Sequence, residues 1–104
     1  MEEISPQRAR QLLEEGACRL LDVREPVERE WAALEPATAI PMARLPEALK
    51  ALDPDVPVLV MCHHGVRSAM AGRFLEQNGF DTVWNLQGGI DAWSREIDPD
   101  VPRY

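Results

Sequence analysis

The run from Val56 to Met61, VPVLVM, is apolar at every position. A strand with one face in water alternates apolar and polar residues, and this one does not. It is therefore predicted to be a central strand buried on both faces, as in a parallel sheet covered by helices. The run stops at Cys62, and the polar turn HHGVRS leads into the strongest helical pattern, Val66 to Asn78. In that helix Val66, Ala69, Met70 and Phe74 fall on one side, and Gly79 ends it.

The rest of the chain repeats this alternation. Ser5-Pro6 joins an N-cap residue to a first-turn proline. Ala9, Leu12 and Leu13 follow at helical spacing, and Gly16 suits the stop. Strands are predicted at Arg19 to Val23, Ala37 to Ile40 and Thr82 to Leu86. Helices are predicted at Glu25 to Ala33, Leu45 to Leu52 and, after Gly88-Gly89, Ile90 to Glu96. The tail DPDVPRY reads as irregular. Strands alternating with helices at this spacing imply right-handed crossovers. The expected fold is a three-layer α/β/α domain spanning 1–104, with a central, mostly parallel sheet of about five strands. Ligands are expected at the carboxyl ends of those strands.

Charge narrows the function classes. The 104 residues carry a net charge of −7, which argues against nucleic acid or an anionic membrane as partner, since both need a basic face. An anionic substrate needs a local positive site. MEEISPQRAR has no apolar core of a signal peptide, and no run approaches membrane-spanning length. Two cysteines, Cys18 and Cys62, make no disulfide framework, so a reducing cytosol is the simplest setting.

Cys62 has three readings: a buried structural thiol, a metal ligand or a nucleophile. A cysteine ending an apolar strand is usually a buried hydrophobe, but the turn that follows favours the nucleophile. The backbone N–H groups of His63, His64, Gly65, Val66, Arg67 and Ser68 lie where a helix begins and lacks intrahelical acceptors, a ready anion site. The helix terminus and Arg67 both favour a thiolate, and Gly65 lets the chain curl without a Cβ. Contiguous Cys62, His63 and His64 point apart and make a poor metal set, so no metal or cofactor is expected. His63 and His64 are expected at the mouth, partly protonated near neutral pH. Cys18 reads as structural, Trp31, Trp84 and Trp93 as core or lid residues, and Glu25, Glu28 and Glu30 as a solvated helix face. Asp22 and Arg24 read either as support for the Cys62 loop or as a local ion pair.

With those residues in place, CHHGVRS resembles the active-site loop of rhodanese-like sulfurtransferases. LLDVREPVE resembles their DVREPxE segment, AIP a strand ending in proline, and VWNLQGGIDAW their closing signature, in the same order along the chain. The resemblance implies that Cys62 carries a persulfide, taken from a small anion such as thiosulfate and passed to a thiophilic acceptor, which can be a protein. Phosphatases of similar fold have five residues between cysteine and arginine, whereas Cys62 and Arg67 enclose four. Met61 also stands where the phosphatase signature has histidine. The chain departs from the family pattern at Ala32 to Ala37 (AALEPA, where GHIPGA is usual), so that connection is expected to take its own path.

Overall fold

A computed structural model describes residues 1–104. Five parallel strands form one sheet in the order β1 (Glu2–Ile4), β5 (Val83–Leu86), β4 (Val58–Met61), β2 (Arg19–Asp22), β3 (Thr38–Ala39). The expected α/β/α class is correct, and the sheet is wholly parallel. Four strands and the helices fall where the sequence places them, with shortened ends. The exception is β1, which three residues at the sheet edge do not announce; it pairs Ile4 with Leu86.

β4 holds the middle of the sheet because both of its faces are apolar. Val58, Val60 and Cys62 pack into one core with Val23, Leu45, Ala71 and Leu75. Leu59 and Met61 point the other way, into a second core with Ile4, Ala9, Leu12 and Ile90. The first core is covered by α3 (Leu45–Ala48, flanked by short 3-10 turns) and α4 (Val66–Gln77). The second is covered by α1 (Pro6–Glu14) and α5 (Gly89–Glu96). The Ser5 hydroxyl caps α1 by accepting from the Arg8 N–H at 3.1 Å. No helix is long and apolar enough to cross a membrane.

α4 buries Ser68, Ala71, Gly72 and Leu75, while Val66 and Met70 on its apolar side stay exposed. The helix approaches the sheet closely there, and small residues permit that. One sequence reading needs correction. In α2 (Pro26–Trp31), Glu28 is no part of a solvated face, since it is buried while Glu25 and Glu30 stay exposed. The Ala32 to Ala37 connection lines a groove of about 780 Å³ with Cys18 and Trp93, and residues 62–68 take no part in it. Cys18 is half-buried there, and burial pushes its thiol pKa up. Trp84 and Trp93 pack against the second core, whereas Trp31 is exposed.

Candidate active site

Cys62 sits one residue beyond β4, between the ends of β5 and β2. Its sulfur accepts the Gly65 N–H at 3.1 Å and lies 3.2 Å from the Ser68 hydroxyl. Gly65 has φ +100°, which other residues avoid, while a Cβ there would only touch the backbone of Leu86 and Gly88 at 3.4 Å. The curl of the loop is therefore tied to glycine at this position. Val66 begins α4, and its side chain points to solvent.

The loop is held from behind by α5. The Ile90 N–H donates to the Cys62 carbonyl at 2.9 Å and the Asp91 N–H to the His63 carbonyl at 3.1 Å. A helix start thus gives its free donors to the loop carbonyls. Gly89 makes this approach possible: its φ is +63°, and an added Cβ would collide with the backbone of Cys62 and His63.

Arg67 does not present a free charge. Its two terminal nitrogens bind both oxygens of Glu28, at 2.6 and 2.8 Å. Glu28 also accepts from the Tyr104 hydroxyl at 2.7 Å and the Glu25 N–H at 3.0 Å. Hydrogen bonds from Arg67, more than those from Tyr104 and Glu25, hold the Glu28 pKa down at about 2 despite burial. The same pair raises that of Arg67. Burial pushes the Tyr104 phenol up to about 12, so it stays a neutral donor.

Asp22 and Arg24 form the local ion pair. Arg24 Nη2 binds Asp22 Oδ2 at 2.8 Å and Nε binds Oδ1 at 3.0 Å, both side chains fully buried. Arg29 adds a second cation to Asp22 at 2.6 Å. Their link to the loop is indirect: Arg24 donates to the Glu28 carbonyl at 3.3 Å and to the Tyr104 hydroxyl at 3.0 Å.

His63 and His64 differ. The His63 ring is sandwiched, its centroid 3.8 Å from both Tyr104 and His64. Burial, and then the neighbouring His64, lower its pKa, which favours the neutral ring. His64 is exposed, its Nε2 4.0 Å from Asp91. His63, His64 and Asp91 could bring three ligand atoms within 4.8 Å. However, the Asp91 carboxylate is already held by Arg103 at 2.9 Å and Arg95 at 3.1 Å, and two guanidinium groups beside it would repel a cation.

Sequence reasoning passed over Glu28, Asn85, Gly89 and Tyr104. Asn85 had a signal, a polar residue inside the apolar strand VWNL. Tyr104 had none, because 76 positions separate it from its partner Glu28.

A parallel α/β sheet with a cysteine-to-arginine loop at the end of its central strand fits the rhodanese-like class. The chain belongs to the rhodanese-like domain family, whose profile matches residues 5–96. It is similar to the "Rhodanese-like/PpiC domain-containing protein 12, chloroplastic" of Arabidopsis thaliana, 37% identical over 90 residues. That match takes in 83% of this chain but only 30% of the plant protein's length. A rhodanese-related protein of Thermoplasma volcanium superposes with a TM-score of 0.87 at 34% identity, covering 100% of both chains. A rhodanese-like domain protein of Staphylococcus aureus gives a TM-score of 0.85 at 28% identity, covering 100% of this chain and 99% of its own.

Proposed function

We propose that this chain is a sulfurtransferase that carries sulfane sulfur as a persulfide on Cys62. The observation that carries this reading is the tight loop, in which the Gly65 N–H and the Ser68 hydroxyl both approach one sulfur atom. In the first half-reaction the Cys62 thiolate attacks the outer sulfur of a donor such as thiosulfate. The sulfur–sulfur bond of the donor breaks, and sulfite leaves with its electron pair. In the second, a nucleophilic acceptor takes the terminal sulfur and the Cys62 thiolate returns.

The loop amides and the α4 N-terminus supply the positive potential. With its charge matched by Glu28, Arg67 acts as a clamp between α4 and α2. His64, exposed at the mouth, meets the donor, and His63 forms the wall beside it. Residues 1–104 act as a single domain in this scheme. Cys18 and Cys62 are free thiols, which fits a reducing compartment such as the cytosol.

Loop size separates this chemistry from phosphoryl transfer. Four residues between Cys62 and Arg67 make a narrow ring of amides. A phosphoryl group presents three oxygens, and each one left unmatched costs on the order of 1–3 kcal/mol, about tenfold to a hundredfold in rate. Sulfur transfer from thiosulfate and hydrolysis of an aryl phosphate, measured on one preparation, test it. Phosphatase turnover equal to or above sulfur transfer, and abolished in Cys62→Ser, would overturn the reading.

A protein as sulfur acceptor has one observation in its favour. The exposed large apolar side chains of the chain are Val27 (47%), Trp31 (52%), Val66 (70%) and Met70 (54%). All four lie on α2 and α4, the two helices joined by the Glu28–Arg67 pair beside Cys62. A small anion gains nothing from such a rim, whereas a protein surface does. Met70→Ser and Trp31→Ser should slow transfer to a folded protein bearing an exposed cysteine while leaving transfer to cyanide within about twofold. Equal slowing of both acceptors would count against a docking rim.

A further inference from the structure

Asn85 interrupts the apolar run of β5 and is buried beside the Cys62 loop. Its partners fix which way its amide faces. Nδ2 lies 3.0 Å from the Gly65 carbonyl oxygen and 2.8 and 3.1 Å from the two Glu3 carboxylate oxygens. All three are acceptors, so reversing the amide would set oxygen against oxygen. Oδ1 therefore faces the Ser68 hydroxyl, which also lies 3.2 Å from Cys62 Sγ.

That hydroxyl has one proton and two acceptors to serve. While Cys62 is a thiol, the chain closes: the S–H donates to Ser68 Oγ, and the Ser68 O–H donates to Asn85 Oδ1. Once Cys62 has given its proton to solvent, no arrangement satisfies both sides. If Ser68 turns to the thiolate, its oxygen and Asn85 Oδ1 meet as two acceptors. If it stays, its lone pairs face a negative sulfur. An unmatched buried acceptor is costly either way.

We infer that Asn85 is a positioning residue that competes with the Cys62 sulfur for the Ser68 proton and so withholds that hydroxyl from the bare thiolate. Its consequence for turnover rests on the persulfide reading. In a persulfide the negative charge sits on the outer sulfur and Sγ is neutral, so Ser68 keeps its bond to Asn85 at no cost. The pair thus favours the loaded site over the bare thiolate.

The test follows Cys62 itself, in a Cys18→Ser background, by its rate of alkylation with iodoacetamide and by thiolate ultraviolet absorbance against pH. The surrounding charged and titratable groups are Glu3 on β1, Glu28 on α2, His63 and His64 in the loop, Arg67 on α4, Asp91 on α5 and Tyr104 near the loop; Glu3 loses its bonds to Asn85 in every Asn85 variant, so the comparison with and without Ser68 cancels that change. Asn85→Ala should speed alkylation about threefold to tenfold near neutral pH and move the absorbance onset to lower pH. In a Ser68→Ala background the same substitution should have no further effect, because the shared proton is gone. Asn85→Ser withdraws the acceptor while keeping a small polar group, and it gives the same comparison if the alanine variant does not fold. An effect of equal size with and without Ser68 would overturn the inference, as would slower alkylation in Asn85→Ala. Neither readout uses a sulfur donor, so they stand apart from any failure of sulfur transfer.

Discussion

Glu28 binds Arg67, Tyr104 and the start of its own helix through one carboxylate. Its pKa is about 2 in the folded chain against an ordinary value of 4.5. A carboxylate held below its unfolded value adds stability above that value and loses it as the pH falls toward the folded one. The window is therefore about pH 4.5 down to about 2, and the stabilisation is at most about 3 kcal/mol. Acid unfolding of wild type should be steeper across that window than that of Glu28→Gln, with the two proteins differing most above it. Parallel pH profiles of stability would show that the Glu28–Arg67 pair contributes nothing net. At this scale the turn that holds Cys62, Gly65 and Arg67 was legible, because a loop is written in adjacent residues. Glu28 was not, since its partner lies 39 positions away and two exposed glutamates flank it.

Elements were legible where composition matched burial. β4 could be read as central because no water-facing residue interrupts it. β1 could not, because three edge residues carry little pattern. The buried side of α4 does not follow its apolar pattern, for a physical reason: closeness to the sheet selected Ala71 and Gly72, leaving the larger Val66 and Met70 outside. The same closeness governs α5. Gly89→Ala must accept a positive φ and push Cβ into the Cys62 and His63 backbone. Strain in the left-handed region alone costs roughly 1–2 kcal/mol, and the collision adds to it. The variant should therefore lose more than about 2 kcal/mol in denaturant unfolding, with sulfur transfer falling further than stability explains. Gly16→Ala shares only the φ cost, since its Cβ would meet nothing within 4 Å. Equal losses in the two variants would mean that α5 does not need its close approach.

Across the whole molecule, the net charge of −7 and the placement of Cys62 pull in opposite directions. The sheet order sets Cys62 at the middle of the carboxyl edge, where the Gly65 N–H reaches its sulfur and α4 begins. The architecture could be anticipated from strand and helix alternation. The contacts of Tyr104 could not, because tertiary packing alone brings that residue across to His63 and Glu28. The central claim is that this geometry stores one sulfur atom on one residue. Mass spectrometry of the intact, unreduced protein after exposure to thiosulfate tests it most directly, with peptide mapping to find the site. The account predicts the added mass of one sulfur atom on Cys62, and none in Cys62→Ala, which should also lose turnover. Sulfur mapped to Cys18, or a Cys62→Ala protein that still transfers sulfur, would contradict it.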